Sequence, residues 1–108
     1  MEDALRALAD PSRRTIVERL ARGPLTAGEL AGLLPIARPG VSRHLRVLRE
    51  AGLVDVRAEA QRRVYSLRAE PLGEIDEWLG TYRMLWEQRL DALHTEIARG
   101  QRRRRSTR

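Results

Sequence analysis

Arg38, Ser42, Arg43, Arg46 and Arg49 recur through the segment Arg38 to Ala51, clear of a stripe made by Val41, Leu45 and Leu48. The stripe repeats at +4 and +3, the spacing of one buried face of an α-helix. The chemistry open to such an outer face is binding rather than bond-making. A guanidinium can donate two parallel hydrogen bonds to the major-groove edge of guanine, worth ~1–3 kcal/mol of discrimination, or grip a phosphate without reading sequence. Arg38, Ser42 and Arg43 occupy the N-terminal half of the helix, the half that meets base edges when a recognition helix enters the groove. Arg46 is placed to hold phosphate, as are Arg57, Arg62 and Arg63 further along. His44 is read as packing or phosphate contact between this helix and DNA. A solvated charged surface is the plainer alternative for the whole face. What favours DNA is the context: a capped helix and a tight turn come just before it.

The elements that must position these side chains are legible around them. Glu2 to Leu8 is a short helix candidate with Leu5 and Leu8 on one side. Asp10 and Pro11 suit the N-cap and first position of a second helix running to about Arg22, with Ile16, Val17 and Leu20 inward and Gly23-Pro24 as its stop. Thr26 and Glu29 form a T-x-x-E capping box opening a third helix, whose core face is read as Leu30, Leu33 and Leu34. Pro35 ends it, since the residue before proline is pushed out of the helical region. Gly52 stops the arginine-faced helix. Val54 to Val56 and Val64 to Leu67 alternate as strands, and the polar link Arg57 to Arg63 completes a β-wing over Leu53 to Leu67.

Pro71 begins the longest helix. Leu72, Ile75, Leu79, Tyr82, Trp86, Leu90, Leu93 and Ile97 are spaced by three and four, a near-heptad stripe of ~39 Å at 1.5 Å per residue. So small a domain cannot cover it alone, and the expectation is a homodimer interface shared with Leu5 and Leu8. Trp78, Tyr82 and Trp86, four residues apart, could instead line a small-molecule pocket, but aromatic residues more often anchor interfaces.

Composition excludes much else. The chain has 108 residues and no cysteine, so disulfides, thiolate metal sites and thiol nucleophiles are absent together. Two histidines at no meaningful distance from a nucleophile, no phosphate-cradling glycine loop and no H-E-x-x-H argue against an enzyme. Met1-Glu2-Asp3 does not read as a signal peptide and no apolar run could span a bilayer, so the cytoplasm is the expected location, with no membrane partner. All basic residues are arginine. Six of them (99, 102, 103, 104, 105 and 108) crowd the last ten positions, leaving 15 arginines against 15 acids in Met1 to Ala98. DNA binding must therefore come from where the charges sit. The expected division is a winged-helix DNA-binding and dimerisation domain over 1–98 and a disordered arginine-rich tail over 99–108, able to bind phosphate or a protein partner.

Four segments together resemble the ArsR/SmtB family of bacterial winged-helix repressors: LADPSRRTIVERL (Leu8 to Leu20), LTAGELAGLLP (Leu25 to Pro35), VSRHLRVLREAGLV (Val41 to Val54) and RRVYSL (Arg62 to Leu67). The resemblance covers about Ala4 to Ile97. It implies a mainly α fold with a small β-wing, a winged helix-turn-helix in the order α-α-α-α-β-β-α, dimeric through the first and last helices. It also implies double-stranded DNA as partner, in the form of a palindromic operator, and repression of a nearby operon. The DNA contacts it suggests are Thr26, Arg38, Pro39, Gly40, Ser42, Arg43, His44, Arg46, Arg57, Gln61, Arg62 and Arg63. Many members hold zinc or nickel between paired last helices, with an Asp/His set from one chain and a His/Glu set from the other. Asp91 and His94 match half of that pattern, and Glu87 or Glu96 would have to replace the missing histidine. A surface Asp-His pair is the alternative, and no cofactor is required. Other open readings are a metal-responsive regulator and a protein-interaction module working with a co-regulator.

Three positions depart from the family. Ala37 stands where serine or threonine would cap the recognition helix, a loss of ~1 kcal/mol. Gly40 replaces a small residue such as alanine and loosens the helix. Ala60 replaces the wing-tip glycine.

Overall fold

The computed structural model describes the backbone of residues 1–106 and the side chains of residues 1–100. The described residues form two compact units, Met1–Ile75 and Asp76 onward.

In the first unit, α1 (Glu2–Leu8) and α2 (Pro11–Leu20) are followed by a two-residue strand β1 (Leu25–Thr26), then α3 (Ala27–Leu33) and α4 (Arg38–Glu50). Strands β2 (Val54–Glu59) and β3 (Arg62–Leu67) and the start of α5 (Glu70–Ser106) complete the order. Each start has a local cause. Asp10 accepts from the Arg13 backbone N–H at 3.1 Å with Pro11 at the first helical position of α2. The Thr26 hydroxyl accepts from Glu29 N at 3.2 Å while Glu29 Oε1 accepts from Thr26 N at 3.1 Å, closing the capping box of α3. Nothing caps α4 through a side chain, as Ala37 led one to expect. Its other end is a Schellman motif. Leu53 N donates to Leu48 O at 2.9 Å, Gly52 N to Arg49 O at 3.0 Å, and Gly52 holds φ +77°. Leu48 and Leu53, the apolar pair of that motif, are both fully buried.

The core gathers Ala4 and Ala7 of α1, Ile16, Val17 and Leu20 of α2, Leu30, Leu34, the Val41-Leu45-Leu48 stripe of α4, Leu53, Val54 and Tyr65. Leu72 and Ile75 at the start of α5 pack against it. Three features differ from the sequence reading. Leu33 is 36% exposed. Leu30 and Leu34, one turn apart, take the inward line, and Leu33 falls to its side. In α1 the inward side is Ala4 and Ala7; Leu8 packs partly on the core, and Leu5 is half-exposed outside it. The wing has a third strand: β1 pairs with β3 through Leu25↔Tyr65 and Thr26↔Val64, giving the antiparallel order β1-β3-β2. A strand of two residues is too short to show alternation.

The wing strands also run longer than expected, joined by the two-residue turn Ala60-Gln61. Ala60 takes φ +55°, with Gln61 not in the positive-φ region. That sign pattern belongs to a II′ hairpin turn, which ordinarily places glycine first.

In the second unit, α5 continues as one helix to Ser106. Up to that residue it replaces the disorder expected from Arg99. Arginine is among the stronger helix formers, and extending an existing helix adds a hydrogen bond per residue without a new nucleus. The side chains of Arg102 to Arg105, and Thr107 and Arg108 entirely, lie outside the described residues.

Candidate nucleic-acid interface

Helix α4 carries the interface because its two faces are so unlike. Val41, Leu45 and Leu48 are at most 3% exposed. On the opposite side Arg38, Ser42, Arg43, Arg46 and Arg49 are all exposed, and no side-chain hydrogen bond or ion pair engages these five among the described residues. Four guanidiniums thus stand unneutralised along one helix face while the helix is held from behind by α2, α3 and β2. Pro39 is exposed and Gly40 half-buried at its N-terminal turn. A Cβ on Gly40 would meet Ile36 Cδ1 at 3.4 Å, an ordinary contact, so glycine is not sterically demanded there.

Thr26 sits at the start of α3 with its hydroxyl oxygen accepting from Glu29 N. The Glu29 carboxyl is held below the usual carboxylate range, first by the Thr26 backbone hydrogen bond, then by the Thr26 hydroxyl and the nearby Arg62 guanidinium. Arg62 therefore faces an acid of its own chain as well as solvent.

The register divides the wing residues between two sheet faces. Arg57↔Val64 and Glu59↔Arg62 are paired on one face, and Ala58↔Arg63 lies on the face that leads to buried Tyr65. Arg57 also pairs with Glu59 at 3.3 Å, both well exposed, an interaction of little energetic weight. Arg57, Gln61, Arg62 and Arg63 are all exposed near the hairpin end, the arginines on strands and Gln61 in the turn, rather than in the long link expected.

This arrangement matches known proteins. A family model described as a helix-turn-helix domain fits residues 8–57. The transcriptional repressor SdpR of Bacillus subtilis is 33% identical over 79 residues, 73% of this chain and 88% of that protein. A crystal structure of an ArsR family transcriptional regulator superposes with TM-score 0.71 at 34% identity, covering 80% of this chain and 89% of that one. The chain belongs to the ArsR family. The HTH-type transcriptional regulator Rv2034 of Mycobacterium tuberculosis is 59% identical over 70 residues, 65% of this chain, although the match spans only 64% of that relative. As an ArsR-family protein with a helix-turn-helix, this chain is a DNA-binding transcriptional regulator, and that family is not an enzyme class.

One contact to the arginine-faced helix escaped the sequence reading. Arg13, the third residue of α2, reaches His44 on the recognition helix, with Nη1 3.4 Å from Nδ1. The only signal was its place three residues after the Asp10 cap. Asp10 itself is held below the usual carboxylate range, first by the backbone N–H of Arg13.

In the second unit, Tyr82, Trp86, Leu90, Leu93 and Ile97 are between 43% and 53% exposed, and Leu79 is half-buried. Trp78 meets Tyr82 edge-to-face at a centroid distance of 5.6 Å. Arg83 pairs with Asp76. Asp91 and His94 are exposed on this helix. Among the described residues no group of three or more His, Asp or Glu is placed to hold a metal. No helix among the described residues is long and apolar enough to cross a membrane.

Proposed function

We propose that this ArsR-family chain acts as a cytoplasmic homodimeric repressor, each subunit placing α4 in the major groove at one half of a palindromic operator. The carrying observation is the row of unpaired guanidiniums on α4, backed by a fully buried stripe. Arg38, Ser42 and Arg43 read base edges; Arg46 and the wing residues Arg57, Gln61, Arg62 and Arg63 hold backbone. Thr26, Pro39, Gly40 and His44 border that surface.

The dimer uses the α5 stripe, with Leu5 and Leu8 of α1 contributing. Five large apolar side chains near half exposure along one helix face are what an unpartnered interface leaves in view. SdpR is named a transcriptional repressor over a match of 88% of its length, which supports repression here.

Fluorescence anisotropy of a labelled duplex from upstream of the gene, at two salt concentrations, tests this reading. Saturable binding that outcompetes random DNA is expected, with affinity falling as salt rises. Binding no tighter than to random DNA, together with a stable complex with another polypeptide through α5, would replace it by the interaction-module reading. No cofactor is needed. A nickel or zinc response would require a second chain's donors beside Asp91 and His94, and an unchanged metal titration in His94→Ala would remove it.

A further inference from the structure

Arg13 gathers three helices onto one guanidinium. Its Nε donates to Ala7 O at 2.6 Å, satisfying a carbonyl that the end of α1 leaves free, and its Nη2 to Arg6 O at 3.5 Å, which also accepts from Ala9 N. Arg14 beside it donates to Leu8 O at 2.9 Å and Ala9 O at 3.3 Å. The remaining arm of Arg13, Nη1, points at His44 Nδ1 on α4. Arginine has five N–H donors and no acceptor, so in that contact the imidazole must accept. An imidazole accepting at Nδ1 is neutral and carries its proton on Nε2. His44 Nε2 has no partner among the described residues, and the side chain is only half-buried.

We infer that Arg13 is a positioning residue for DNA binding: by donating to Nδ1 it fixes the Nε2–H tautomer of His44, so that His44 presents a neutral N–H donor to the DNA backbone. This rests on the proposed docking of α4. It goes beyond it by giving a residue outside the DNA-facing surface a part in recognition. The same guanidinium ties that donor to the end of α1, so displacing α1 would loosen His44.

The test has two arms. Long-range proton–nitrogen correlation of ¹⁵N-labelled protein reads the tautomer of each neutral imidazole without any DNA, and His94, with no such arginine contact, serves as internal reference. His44 is expected as the Nε2–H form alone in the wild type and as a tautomer mixture in Arg13→Met. A wild-type His44 protonated on Nδ1, or an unchanged pattern in Arg13→Met, would overturn the inference whatever the duplex does.

The second arm is a double-mutant cycle on a duplex selected by the wild-type protein from a random-sequence pool. His44→Gln carries an amide donor near the Nε2 position with no tautomer to set. Arg13→Met should bind about tenfold more weakly with His44 present, and much less so in the His44→Gln background. Equal losses in both backgrounds would make Arg13 merely structural. Arg13→Lys, which keeps a donor and the charge, guards against loss of the fold and should restore most of the binding. Failure of the wild-type protein to select any sequence would sink the DNA reading alone, since the tautomer arm stands apart from it.

Discussion

Arg43 and Arg46 lie three residues apart on the same exposed face of α4, yet their replacement should have different consequences. Arg43→Ala is expected to cost ~1–3 kcal/mol on the preferred duplex and to relax sequence preference at one base pair. Arg46→Ala should weaken preferred and shuffled duplexes alike. Binding curves on both duplexes separate the two outcomes. Asp10 and Glu29 make a prediction of another kind. Both carboxyls titrate below their ordinary values in the folded chain because they accept backbone hydrogen bonds at helix starts. The stabilisation they supply is complete above the usual carboxylate range and is lost as pH falls through the lowered values. Thermal melts across the acid range should show a steeper decline for the wild type than for Asp10→Asn with Glu29→Gln. At Ala60, φ +55° charges an L-residue for a left-handed conformation that glycine adopts freely. Ala60→Gly should therefore raise stability by ~0.5–1 kcal/mol in denaturant titration. At this scale the sequence was read well where types speak directly, as in the arginine row, the T-x-x-E box and the missing cap at Ala37. It was blind to Arg13, because a side chain that reaches 31 positions along the chain leaves no local pattern.

Among the elements, helices with strong periodicity were legible and short or continuous ones were not. The stripe Val41-Leu45-Leu48 located α4 within a residue of its observed end. Leu33 was misplaced because leucines at 30, 33 and 34 offer two inward lines, and only packing decides between them. Strand β1 needed its partner β3 to exist at all. Ala4 and Ala7 are the fully buried residues of α1, with Leu8 only partly packed on the core, since small side chains let the short helix lie close. For α5 the apolar stripe was plain, while its continuation to Ser106 was not, because an arginine-rich run reads equally as a solvated tail. The stripe yields the element-scale prediction. Leu90→Glu with Leu93→Glu should turn a dimer into monomers by light scattering and lower operator affinity sharply, with the melting of the Met1–Ile75 unit little changed. A dimer that survives both substitutions would place the interface elsewhere.

Taken whole, the molecule carries little excess charge outside its last ten residues, with 15 arginines against 15 acids up to Ala98. Generic attraction to a polyanion is therefore weak in the body of the chain, and affinity must come from the concentration of guanidiniums on α4 and the wing. ArsR-family membership and the superposition at TM-score 0.71 agree with that distribution. The fold and its class were legible because four local signatures agree with one topology. Partner copy, operator and any effector were not, since they depend on surfaces outside this chain. The central claim is that two recognition helices read DNA sequence together. Selection of duplexes from a random-sequence pool by the wild-type protein tests it most directly. The account predicts enrichment of an imperfect inverted repeat whose half-sites are centred about one helical turn apart, ~34–36 Å. A retained pool with no enriched sequence, held by charge alone, would contradict it.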